Sequence, residues 1–102
     1  MGERRRLPVH KKELIIADGE YKDWTFTAVT NPPLGVIENL AARELKQVVE
    51  GLAKIIVLWD FVDEEGEPMG APSQENIRKL PVDLIAAISE TYVKNISTLP
   101  QA

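Results

Sequence analysis

Polar and apolar positions alternate between Tyr21 and Val29 (YKDWTFTAV): Tyr21, Asp23, Thr25 and Thr27 fall on one side, Trp24, Phe26 and Ala28 on the other. Period-two alternation predicts a strand with one buried face. The apolar stretch before it, residues 13–17 (ELIIA), is followed by Asp18-Gly19, a dipeptide that favours hairpin turns. Together they predict a β-hairpin with Trp24 and Phe26 pointing to the core, as packing residues rather than ligand-stacking ones. Asn31-Pro32-Pro33 ends the strand, because consecutive prolines remove backbone donors and hold the preceding residue extended.

The period then changes. Ile37, Leu40, Ala41, Leu45, Val48, Val49 and Leu52 recur at three-and-four spacing, which predicts an amphipathic helix over residues 36–52 with a possible break at residues 41–44. Gly51 costs about 1 kcal/mol against alanine inside a helix, so it is read as the helix end and residues 54–62 as a strand crossing the core. A helix that runs on to Leu58, with only residues 59–62 extended, fits the same apolar run. Asp63, Glu64, Glu65 and Gly66 predict a solvated turn, with Gly66 free to take a positive φ. Residues 67–72 are read as an irregular connection, Ser73 as the cap of a short helix over residues 74–79, and Val82–Ile96 as a second amphipathic helix. The expected fold is α+β: a small single domain in which an N-terminal β-hairpin and a further strand pack with two amphipathic helices and a short one. Residues 1–12 are expected to form a flexible basic arm, 13–97 the domain and 98–102 a flexible tail.

Composition adds mainly exclusions. A chain of 102 residues, 44% hydrophobic and 27% charged, suits one soluble globular domain. There is no cysteine, which removes disulfides and thiolate metal sites. No apolar run approaches the ~20 residues of a membrane span, and Arg4, Arg5 and Arg6 lack the apolar run of a secretory signal behind them. A net charge of -4 argues against a dedicated nucleic-acid binder. The charge is uneven, basic over residues 4–12 and acidic over residues 60–67. Self-association through opposite ends is one reading of that asymmetry; a solvated arm is the preferred one.

Catalytic material is thin. His10, the one histidine, lies in the basic arm, a poor place to preorganise a base. Asp60, Asp63, Glu64, Glu65 and Glu67 lack the spacing of a calcium loop, and Gly66 and Gly70 lack the Lys-Ser/Thr and the strand–helix context of a phosphate loop. The chain is therefore expected to be non-enzymatic, with no catalytic, cofactor-binding or metal residue and no cofactor.

Residues 56–69 (IVLWDFVDEEGEPM) and the proline-bounded segment after them, residues 72–88 (PSQENIRKLPVDLIAAI), carry Trp59, Phe61, Asp63, Gly66, Pro68, Leu80 and Pro81. This pattern, W-x-F-x-D-x-x-G-x-P and then a short helix closing on Leu-Pro, resembles the small tail assembly chaperones of long-tailed bacteriophages. Residues 23–40 (DWTFTAVTNPPLGVIENL) are similar to that family's strand followed by a Pro-rich helix start, so the resemblance covers most of the chain after Glu13. It implies an assembly factor that coats the helical tape measure protein, keeps it soluble and helps tail-tube subunits assemble. Such a factor works in the cytoplasm of the infected or lysogenic host and leaves before the virion is mature. Many members exist in a short and a frameshifted, extended form, and this chain would correspond to the short one.

Trp59 and Phe61 are read as anchors of the fold and, with Met69, as candidate partner contacts. The expected partners are the tape measure protein, the tail-tube subunit and further copies of this chain, with no nucleic acid and no membrane. A structural phage component, such as a tail terminator or head–tail connector, is the alternative.

Overall fold

The computed structural model describes residues 4–96. β1 (Lys11–Ile15) and β2 (Thr25–Val29) pair antiparallel, and β3 (Ile56–Trp59) pairs antiparallel with the other side of β2, so β2 is the central strand. The register places Leu14, Phe26 and Trp59 in one row on the buried face, and Glu13, Thr27 and Leu58 in a row on the open face. The expected hairpin is present, but residues 16–24 close it with a wider loop than Asp-Gly alone suggests. Ile16 and Trp24 still bond as a ladder would, the Ile16 N–H donating to the Trp24 carbonyl at 2.9 Å. Gly19 and Asp23 have positive φ (86° and 73°). The left-handed residue at Asp23 interrupts the extended backbone, so the strand begins at Thr25 rather than Tyr21.

Two sequence expectations are corrected here. Trp24 does not join the core with Phe26: it lies beyond the end of β2, where little covers it, and stays 40% exposed while Phe26 is buried. Gly51 does not end the helix. After the break at residues 42–44, α1 (Leu34–Ala41) is followed by α2 (Leu45–Ile55), which runs through Gly51. A Cβ on Gly51 would lie 2.9 Å from the Asn39 Cβ and 3.1 Å from the Leu40 Cδ2. The glycine is where α1 and α2 come together, and close approach outweighs its poor helix propensity.

The 54–62 strand is correspondingly shorter than expected. Lys54 and Ile55 are the last residues of α2, and Ile56 caps that helix, its N–H donating to the Leu52 carbonyl, while opening β3. Thr27 faces Leu58 and Ala28 faces Ile56, which leaves Val57 as the extra residue of a bulge. Beyond Trp59 only the isolated Val62–Pro68 bridge continues the pairing.

The remaining helices fall near their expected bounds. α3 (Gln74–Ile77) is shorter than residues 74–79, with the Ser73 hydroxyl accepting from the Asn76 N–H at 3.2 Å, and α4 is Val82–Ile96. Leu84, Ile85, Ile88, Tyr92 and Ile96 of α4 belong to the same core as the strand row and as Val49, Leu52 and Ile55 of α2. The Tyr92 hydroxyl donates to the Val29 carbonyl, tying α4 to the end of the central strand. The architecture is α+β. β1 takes in Lys11 and Lys12, which were expected in the arm. The Asn31 side chain holds the chain just before them: its Oδ1 accepts from the His10 N–H at 2.8 Å and its Nδ2 donates to the Pro8 carbonyl at 2.9 Å. The expected tail, residues 98–102, lies outside the described residues. Among the described residues no helix is long and apolar enough to cross a membrane.

Candidate partner-binding surfaces

The segment after β3 is organised by its own side chains. The Trp59 indole N–H donates to the Gly70 carbonyl, and the Met69 N–H donates to the Phe61 carbonyl at 3.0 Å, which folds residues 61–70 back on themselves. At the tip, one oxygen of the Asp63 carboxylate accepts from the N–H groups of Glu65 and Glu67, at 2.9 and 3.0 Å, and Gly66 takes a φ of 85°. A carboxylate that bonds backbone two and four residues on is a local turn organiser. Leu80 is buried, and the Pro81 carbonyl accepts from Leu84 and Ile85 to start α4. All seven residues that carry the family resemblance therefore have framework positions.

This framework builds an aromatic cleft at the end of the sheet near Thr25. The Tyr21 and Trp24 rings meet edge to face with centroids 5.0 Å apart, Trp24 and Phe61 lie 5.3 Å apart, and Phe61 and Trp59 lie 5.0 Å apart. The cleft, of about 410 Å³, is walled by Tyr21, Trp24, Phe61, Met69, Leu80, Pro81 and Leu84, and rimmed by Glu20, Asp63, Glu64 and Lys79. The Tyr21 hydroxyl donates to the Asp83 carboxylate at 2.8 Å. That bond, with partial desolvation and the negative charge of Asp83 and Glu20, pushes its pKa up to about 12, so it stays a neutral donor.

Of the three residues singled out from sequence, Phe61 and Met69 line this cleft, while Trp59 is buried behind Phe61 with its indole N–H spent on Gly70. Trp24 is the exposed aromatic at the site, with Tyr21 partly buried beside it, and the alternation pattern had assigned Trp24 to the core. The signal that could have found it is Asp23, a residue type that tolerates the left-handed backbone, directly before it.

A second apolar surface lies between α2 and α4. Leu45, Val48, Ile85, Ala86 and Val93 line a groove of about 560 Å³, with Arg43, Glu90 and Lys94 at its edges. Leu45 and Val93 are each about half exposed, although both belong to the apolar stripes read from the sequence. The stripes are wider than the core needs, and the surplus is this groove. Glu90 and Lys94 pair at 3.0 Å one helical turn apart, and the hydrogen bond that the Lys94 ammonium donates to the Glu90 carboxylate holds it above the usual lysine range. Among the described residues, no three His, Asp or Glu are grouped to hold a metal ion. No known family, curated protein or solved structure matches this chain.

Proposed function

We propose that this protein is a non-enzymatic tail assembly chaperone of a long-tailed bacteriophage, which binds the tape measure protein and helps the tail tube assemble. The observation that carries this reading is the groove between α2 and α4. Two helix walls with an apolar floor accept the apolar face of a third helix, anchored at three-and-four spacing. A long helical rod offers that face repeatedly, so many copies of a small domain mask it against aggregation. Leu45 from α2 and Val93 from α4 are the side chains with most surface left to give. The protein acts in the host cytoplasm, recruits the tail-tube subunit and is absent from the finished virion.

The test is co-expression with the tape measure protein of the same gene cluster, affinity purification, and light scattering of what is retained. A soluble complex with many copies of this chain per partner supports the proposal. Leu45→Glu with Val93→Glu is expected to abolish retention, because two carboxylates would have to be buried in the contact. The proposal fails if wild-type protein purifies alone while its partner precipitates. Detection in mature virions by mass spectrometry would instead favour a tail terminator or connector.

A further inference from the structure

The two ends of the sheet carry complementary features. At the Thr25 end lies the aromatic cleft with its acidic rim. At the other end, beside Val29, the chain enters β1 from residues 4–10, all exposed, with Arg4, Arg5 and Arg6 followed by Leu7 and Pro8. Leu7 is 86% exposed, an apolar side chain with almost no seat on its own domain. Its conformation is nonetheless restricted: Pro8 holds Leu7 extended, and the Asn31 amide grips the chain on both sides of Val9.

We propose that residues 4–7 of one copy dock in the aromatic cleft of the next, joining copies head to tail. Leu7 supplies an apolar group for a cleft floored by Phe61, Met69 and Leu80. The arginines meet Glu20 and Glu64 on the rim and the exposed Trp24, where a guanidinium is attracted both by carboxylate and by the ring quadrupole. An extended, proline-restricted segment loses little freedom on docking, and aromatic clefts suit such segments.

The occupant cannot be the same copy's arm. β1 alone separates the two ends by about 17 Å, at about 3.4 Å per residue, whereas residues 4–7 reach at most about 14 Å from Pro8. Because the donor and acceptor surfaces differ and lie at opposite ends, the contact is heterologous and propagates into a ring or a filament. The contact is small and charge-rich, so it is weak and salt-sensitive. This inference does not rest on the tape measure reading and is tested on the chain alone.

Sedimentation velocity of the purified chain, over a range of concentration at low and high salt, is the first measurement. Concentration-dependent assembly at low salt is expected, weakened about tenfold or more by high salt. One variant carries Arg5→Glu and Arg6→Glu, the other Glu20→Lys and Glu64→Lys; all four positions are exposed and outside the core. Each variant alone is expected to be monomeric with unchanged circular dichroism. Mixed in equal amounts they reassemble, since each acidic arm now meets a basic rim and each basic arm an acidic one. Trp24 fluorescence shifts on assembly, and Trp24→Phe removes the shift. A wild-type chain that stays monomeric at low salt overturns the proposal. So does association that survives either reversal, or a mixture that fails to reassemble.

Discussion

Tyr92 is fully buried, and its hydroxyl spends its proton on the Val29 carbonyl. Burial pushes the phenol up to about 12, against about 10 in an unfolded chain. The folded state therefore keeps a proton that the unfolded state has lost between these values, so stability is complete below about pH 10 and falls as the pH rises towards 12. Urea unfolding at neutral and alkaline pH should show this descent, and Tyr92→Phe should lessen it, the raised Tyr21 phenol still contributing, while costing about 1 kcal/mol at neutral pH from the lost hydrogen bond. The two tryptophans divide in the same manner. Trp59 is buried with its indole bonded, Trp24 is exposed. A collisional quencher is expected to reach one fluorophore and spare the other, with Trp24→Phe abolishing the accessible fraction. Equal quenching of both would mean that the Trp59 to Gly70 tie is broken.

At the scale of elements, Gly51 separates two physical arguments. Helix propensity alone says that Gly51→Ala should stabilise by about 1 kcal/mol. The new methyl, however, would stand 2.9 Å from the Asn39 Cβ and 3.1 Å from the Leu40 Cδ2, and overpacking of this kind costs about 1–3 kcal/mol. A net loss is expected in thermal or urea unfolding; a gain would show that α1 and α2 do not meet there. The same residue marks the limit of what periodicity tells. The stripes of α2 and α4, the break near Ala42, the Ser73 cap and the Gly66 turn could all be read from spacing and residue type, because each is a local preference. Gly51 could not, and Trp24 only through the tolerance of Asp23 for a left-handed backbone. The first is decided by a neighbouring helix and the second by what happens to lie past the end of a strand. For the candidate surfaces, Phe61 and Met69 were legible as an aromatic and a flexible side chain beside an acidic turn, but pattern cannot say which part of an apolar stripe the core leaves uncovered.

For the whole molecule, the two apolar surfaces share no lining residue: the groove is lined by α2, α4 and the α1–α2 junction, the aromatic cleft by the hairpin loop, the segment after β3, Leu80, Pro81 and the first turn of α4 at Leu84. Substitutions in one should leave the other intact. Leu45→Glu is expected to change stability by no more than about 0.5 kcal/mol, as exposed positions generally do, while weakening a helix-binding role in co-purification. Arm and rim reversals should leave partner retention per copy unchanged at saturating protein and alter only the assembly of copies. If one substitution removed both, the two surfaces would have to be a single site.

Between Ile55 and Ile56 the backbone goes from helix to strand without an intervening residue. A connecting loop is where a chain stores slack, and here there is none. α2 and β3 are therefore one continuous segment, which ends on Trp59 and the strap that its indole holds. A residue inserted at this junction is expected to lower stability in urea unfolding, because with no loop to absorb it the insertion pushes β3 towards a one-residue slip that would turn Trp59 away from Phe26 and the core.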